Sequence, residues 1–304
     1  MNVTMVTEMI MKRIVPAISE TRRSPVLRRP DEYGLEYEDV SFQSADGLAL
    51  EGWYIFSKTP SNKVVICNHF SPGNRYGYAG HLKPWRSAGG FEVNFLPKYK
   101  ALVDAGYNVF AYDLRGHGMS TPGQNGAYNP KFFEYKDVIG SMNYIKSRPD
   151  TVKMDIHLHS MCLGGNSTLV AMRKKPELFN DVKSMMLLQP ISGDALVRKL
   201  TKNMRLGKKG YHVFEDYYRK LYGFSISDAS PILDAAYVKV PTFVAQVRND
   251  SFTYAEEDVQ AVYDALPVED KKIYWIEGTK QRFRGYTYFS ENPEQMIEWY
   301  NRFD

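Results

Sequence analysis

His157–Leu158–His159–Ser160–Met161–Cys162–Leu163–Gly164–Gly165 is the stretch that decides the fold. Residues 154–159 read as a short buried strand, and a helix begins near Leu163. What lies between is a sharp strand-to-helix turn. A reactive side chain at the tip of such a turn occupies an unfavourable backbone conformation, so the residues two before and two after it must be small. With Cys162 at the tip, Ser160 and Gly164 fill those places. The competing register puts Ser160 at the tip and Leu158 and Cys162 at the small positions, where a leucine would clash. Cys162 is therefore the candidate nucleophile.

Outward from this turn, strand patterns alternate with helical ones, which predicts an α/β fold with a mostly parallel sheet covered on both faces. Residues 36–43 and 48–55 flank an Asp46–Gly47 hairpin turn. Residues 63–67 form a buried strand running into a glycine-containing loop at 68–81, and a helix through Tyr99, Leu102 and Val103 stops at Gly106. The strand 108–112 leads into Asp113–Leu114–Arg115–Gly116–His117–Gly118–Met119–Ser120, and Tyr135, Ile139 and Met142 share a helix face. After the strand 185–188, residues 193–229 are helical and polar without a strand signal, so they read as a cap inserted into the sheet. Strands at 241–247 and 272–276 resume the core, and Asn292–Pro293 starts the last helix as cap and first helical residue. The expected organisation is an N-terminal helix and basic arm (1–35), a core (36–192 and 230–304) and a helical cap (193–229).

Composition narrows the function classes. The 304 residues carry 39 Lys and Arg against 35 Asp and Glu, too small an excess for a dedicated nucleic-acid binder. No run reaches the roughly 18 apolar residues of a membrane span, and the N-terminus lacks the pattern of a secretory signal. Two cysteines, Cys67 and Cys162, suggest a reducing compartment, with the cytoplasm as the default. No His, Cys and Asp cluster has metal-ligand spacing and no phosphate-binding glycine loop is evident, so no cofactor is expected.

The order of hairpin, strand, Asn68–His69–Phe70 loop, Asp113–Ser120 turn, strand-turn-helix, cap and late strands resembles the α/β-hydrolase superfamily over roughly residues 36–304. Its esterase, acyl-peptidase and dienelactone-hydrolase-like branches are the most similar, and some dienelactone hydrolases also use a cysteine nucleophile. The resemblance implies an α/β-hydrolase fold and a small-molecule acyl substrate. It implies that Asp250, after the strand that follows the cap, is the triad acid; the alternative is an Asp that merely shapes the turn before Ser251. It further implies that the N–H groups of Phe70 and Leu163 form an oxyanion hole.

The chain departs from this pattern at the base. The family's histidine follows the last strand in a Gly-x-x-His arrangement, and here that stretch reads Gly278–Thr279–Lys280–Gln281. Gln281 falls on the histidine position, no histidine follows His212, and a glutamine amide cannot take a proton. A cysteine at a helix N-terminus still gains from the helix's partial positive charge, so attack on an activated acyl group needs no base. His69 is a candidate surrogate base, against the plainer reading of a loop histidine bonded to backbone. His117, His157 and His159 read as structural. Lys280 and Arg282 are candidate substrate-carboxylate ligands, and the basic run 198–209 either meets a phosphate-bearing group or is a solvated helix face. Three readings follow: an enzyme acting on an ester, thioester or lactone through Cys162, as hydrolase or acyltransferase; a pseudoenzyme that binds a ligand or protein in the pocket; and a redox-responsive protein.

Overall fold

The computed structural model describes residues 3–86, 89–123 and 126–304. The first two residues of the expected 1–35 segment lie outside it. Eight strands form one sheet: β1 (Tyr37–Gln43), β2 (Ala49–Ile55), β3 (Lys63–Asn68), β6 (Asn108–Tyr112), β7 (Asp155–Met161), β8 (Val182–Leu188), β9 (Thr242–Val247) and β10 (Lys271–Ile276). Their order is β1-β2-β6-β3-β7-β8-β9-β10. β2 runs antiparallel to both of its neighbours, β1 and β6, and all pairs from β6 to β10 are parallel. A two-stranded antiparallel ribbon, β4 (Gly77–Tyr78) with β5 (Val93–Asn94), lies in the connection that follows β3.

The sheet is apolar on both sides because successive strand residues point to opposite faces. Val64 and Ile66 join a cluster with α3 (Tyr135–Ser147), α4 (Leu163–Lys174) and α8 (Ala255–Ala265). Val65 and Cys67 join another with α2 (Leu96–Asp104), α9 (Arg282–Glu291) and α10 (Glu294–Asn301). The Asp113–Ser120 turn is built around one carboxylate. Asp113 accepts the N–H groups of Arg75 and Met119 at 2.7 and 2.8 Å and pairs with the Arg75 guanidinium at 2.8 Å. A Cβ at residue 118 would lie 2.1 Å from that carboxylate, so the position takes glycine. His117 is buried in this turn and bonded to the Arg115 carbonyl and the Ser71 hydroxyl.

The insertion between β8 and β9 contains α5 (Gly193–Asn203), α6 (Gly207–Tyr222) and the short helix α7 (Ile232–Ala235). The N-terminal helix α1 (Val3–Ser19) packs on it: Met11 and Val15 meet Val197, Phe214 and Tyr218 in a third cluster. One element differs from the sequence expectation. The last helix begins at Glu294 with Pro293 at its cap position, and Asn292 donates to the Tyr288 carbonyl instead of capping. Among the described residues no helix is long and apolar enough to cross a membrane.

The loop entering α3 buries a carboxyl, Glu134, whose one oxygen accepts the Asn129 N–H at 3.0 Å. Burial, and then the nearby Asp137 charge, raise Glu134 from 4.5 to about 8. A carboxyl whose folded value lies above its unfolded one holds its proton more tightly when folded, so its contribution is lost as pH rises from about 4.5 to 8. Glu134→Gln removes that term. Urea unfolding at about pH 5 and about pH 8 should show the variant gaining on the wild type at the higher pH. A gap that stays constant would mean Glu134 ionises freely.

Candidate active site

At the end of β7, Cys162 has φ 48° and ψ −109°, a backbone conformation that side chains rarely adopt. Its N–H donates to the Leu188 carbonyl at 2.8 Å, and its carbonyl accepts the Asn166 N–H at 2.8 Å, so the strained residue is pinned on both sides. A Cβ at residue 164 would lie 2.6 Å from the Asn68 carbonyl, which is why a small residue is needed there. Ser160 faces away from the turn: its hydroxyl is buried against Asn68 and Thr168, both at 2.9 Å. Cys162 opens onto a cavity of about 330 Å³. Its walls include Leu163, Phe283 and Tyr286 from the core, Ile18 from α1, and Leu196 and Tyr218 from the cap.

Phe70 and Leu163 also stand beside the turn, Leu163 as the first residue of α4. Among the described residues, no protein acceptor takes the N–H of either one. The next amide, Gly164, is already bonded to the His69 carbonyl at 3.1 Å. Asn166 donates to the Ile191 carbonyl at 2.7 Å, and its buried side-chain oxygen, on the cavity wall, has no partner among the described residues.

Asp250 follows β9 and is fully buried. Its carboxylate accepts the Phe252 N–H at 2.8 Å and the Gln246 amide at 2.9 Å, and it pairs with Arg282. The expected partner, Gln281, is not there. It is exposed at the start of α9, and the residue that reaches Asp250 is the next one along. Arg282 is only 2% exposed and is gripped on every side. One terminal nitrogen meets Asp250, the other donates to the Gln189 carbonyl, and Nε donates to the Tyr286 hydroxyl at 2.9 Å. Gln189 itself has φ 49° and returns its amide to the Arg282 carbonyl at 2.8 Å. A Cβ at residue 285 would lie 2.7 Å from the Gln189 side chain, so glycine lets α9 come this close. Burial opposes the charge of Arg282, but Tyr286 and Asp250 hold its pKa well above the ordinary value. Tyr286 stacks on Phe70, ring centres 4.0 Å apart and planes at 4°, and shares the cavity wall with Cys162.

Three sequence expectations change. Arg282 is a buried partner of Asp250 and not a surface ligand for a substrate carboxylate. Lys280 is exposed and lines a separate polar groove with Lys199 and Arg248, away from the cavity of Cys162. His69 is not placed to serve as a base. Its Nε2 accepts the Leu114 N–H at 2.9 Å, its Nδ1 bonds the Phe70 carbonyl at 2.8 Å, and burial pushes it down to about 4. His157 and His159 are buried on the α10 side, His157 against Ser184 at 2.9 Å and His159 against Tyr300 at 3.2 Å. Both cysteines are free, and burial raises Cys67 to about 12. Sequence reasoning missed Gln189 and Tyr286. The only signal for Tyr286 was its place four residues after Arg282, one helical turn along the same face.

Residues 94–218 match the family model described as "Serine aminopeptidase, S33", a stretch that spans the strand-to-helix turn. The chain is 32% identical over 141 residues to the uncharacterized protein YfhR of Salmonella typhi, covering 45% of this chain and 40% of that one. It therefore spans well under two thirds of that relative's length. It is 23% identical over 303 residues to the lysophosphatidylserine lipase ABHD12 of Xenopus tropicalis, covering 88% of this chain and 69% of the relative. Among solved structures, the esterase Pf2001 of Pyrococcus furiosus superposes with a TM-score of 0.67 at 20% identity, over 94% of this chain and 98% of the other. The fold is that of the α/β-hydrolases.

The ion pair offers a test of its own. Asp250→Asn leaves the Arg282 guanidinium buried without its counter-charge, which should cost about 3–5 kcal/mol of stability. Urea unfolding measures this. A loss below about 1 kcal/mol would mean that Arg282 is not held in the site as described.

Proposed function

We propose that the protein is an acyl-transferring or acyl-hydrolysing enzyme that forms a covalent acyl-thioester on Cys162, with an ester, thioester or lactone as donor. The carrying observation is the strained Cys162 turn facing a mostly apolar cavity, with two unpartnered N–H groups beside it. Sγ attacks the carbonyl carbon, the developing oxyanion is taken by the N–H groups of Phe70 and Leu163, and the leaving group departs with its electron pair. A volume of about 330 Å³, at the small end of small-molecule pockets, suits a compact acyl group. The family match across the turn, and a relative named as a lipase, support a catalyst of acyl chemistry over a ligand-binding pseudoenzyme.

Arg282 sets the character of the catalyst. An arginine has no acceptor and does not give up its proton, so neither it nor the exposed Gln281 activates water. Asp250 positions Arg282 and takes no proton from the thiol. Acylation is then the easy half of the reaction and hydrolysis the slow half.

Mixing the protein with activated esters and thioesters, and following leaving-group release with intact mass, tests this reading. A burst that leaves one acyl group on the protein is expected, and Cys162→Ala should abolish it. Release that continues unchanged in Cys162→Ala would sink the mechanism. Arg282→His puts an imidazole beside Asp250, and hydrolysis of the acyl-enzyme should rise by about a hundredfold, the usual contribution of one general base. Gln281→His, on the exposed side, should leave that rate unchanged. An accelerated Gln281→His with an unchanged Arg282→His would reassign the base position.

A further inference from the structure

The loop that carries the Phe70 N–H also carries an alcohol. Ser71 directly follows Phe70, is half-buried, and shares the wall of the cavity with Cys162. The bond from the Gly164 N–H to the His69 carbonyl, 3.1 Å, ties this loop to the start of α4. Ser71 and Cys162 thus each stand two residues from one fixed point. The Ser71 hydroxyl lies 3.1 Å from Nε2 of His117, a fully buried imidazole. Nδ1 of the same ring lies 3.0 Å from the Arg115 carbonyl. A carbonyl accepts and never donates, so in the neutral ring Nδ1 carries the hydrogen and Nε2 offers its lone pair. The hydroxyl therefore donates to the imidazole. The result is a serine backed by a histidine on the wall of the cavity that holds the cysteine.

We propose that Ser71 is a catalytic residue of the acyl-transfer step, with His117 behind it as positioning residue and proton acceptor, and that the acyl acceptor is an alcohol. This rests on the acyl-Cys162 reading above and extends it to the second half of the reaction. The acceptor oxygen forms a bond to the acyl carbon while its proton passes to Ser71 Oγ, whose own proton moves to His117 Nε2. The C–Sγ bond then breaks, sulfur keeps the electron pair, and the proton returns through Ser71 to the departing thiolate. The products are the ester of the alcohol and the free Cys162 thiol. A thiol acceptor has little use for such a relay, because it ionises by itself near neutral pH. An alcohol does not, and its proton has to be taken as it attacks. The relay is a weak one. Burial, then His69 with its ring centre 5.1 Å away, lower His117 from 6.5 to about 3. Arg23 adds to this, and the Arg115 carbonyl and the Asp113 charge oppose it. Such an imidazole holds a proton only in passing. That agrees with slow hydrolysis and gives the advantage to an alcohol whose oxygen the cavity holds in place.

Two acceptors that differ by one atom, ethanol and ethanethiol, test the relay. p-Nitrophenyl butyrate loads the protein, excess reagent is removed, and intact mass follows loss of the butyryl group to each acceptor. In Ser71→Ala, transfer to ethanol should fall about tenfold more than transfer to ethanethiol, less than the roughly hundredfold usual for a general base because this imidazole is weak. Ser71→Thr, which keeps the hydroxyl, should restore the ratio. A ratio that Ser71→Ala leaves unchanged would overturn the relay while leaving acyl-Cys162 chemistry standing. No butyryl adduct on the wild type would overturn both. For His117 the readout is the pH profile, since replacing so buried a residue disturbs the turn around it. Transfer to ethanol by the wild type should stay level from about pH 8 to about pH 5, where a histidine of ordinary value is mostly protonated. A rate that falls through a midpoint near 6.5, or in proportion to hydroxide, would remove His117 from the role.

Discussion

The buried pair of Asp250 and Arg282 is the constraint on which the site depends. Two charges taken out of water gain little or nothing over an apolar pair of the same size, because desolvation offsets their attraction. Its persistence at the centre of a packed core is therefore poorly explained by stability. What it does supply is geometry. Asp250 is itself held by Gln246 and the Phe252 N–H, and Arg282 by the Gln189 carbonyl. The guanidinium plane then has one orientation, and that orientation aims Nε at Tyr286, which lines the same cavity as Cys162.

Two of the three non-glycine residues with positive φ among the described residues belong to this assembly. Cys162 is strained to expose its sulfur, and Gln189 is strained so that its carbonyl and amide clasp Arg282 from opposite sides. Such conformations each cost of order 1–3 kcal/mol and persist only where surrounding structure holds them. Here the holders are main-chain bonds to neighbouring strands: Cys162 N–H to Leu188 and Gln189 N–H to Ala245, each 2.8 Å. β7, β8 and β9 thus bring Cys162, Gln189 and Asp250 to one end of the sheet.

The fold was legible because its signals are local. The small–x–Cys–x–small turn, the alternation of strand and helix, and the Asp113–Ser120 turn each depend on residues near one another in the chain. The helices between β8 and β9 were legible as a gap in the strand pattern. The contribution of α1 to the cavity was not, since nothing in residues 3–19 announces that Met11 and Val15 face Phe214 and Tyr218. The site was half legible. Cys162 and Asp250 occupy positions set by strand ends, whereas counting from Gly278 pointed to Gln281 and stopped one residue short. What the count could not see was that α9 begins at Arg282, which turns Gln281 outward and Arg282 inward. A charged residue next to a polar one looks like surface until its counter-charge, 32 residues away, is known.

The two departures from the hydrolase pattern explain one another. A serine beside an arginine would be inert, because an alcohol must lose its proton to a base as it attacks and a guanidinium cannot accept it. A cysteine beside the same arginine is not inert, because sulfur is intrinsically a far stronger nucleophile than an alcohol oxygen and can attack without a general base. Conversely, a cysteine with an ordinary imidazole would gain a route to hydrolysis, as the same base that frees the sulfur also activates water. Replacing the imidazole by a guanidinium closes that route and leaves the acyl group waiting on sulfur. In the proposed acyl-Cys162 chemistry, cysteine at the tip of the turn and arginine in the grip of Asp250 therefore form a single chemical choice: a site that would accept an acyl group readily and give it to water reluctantly.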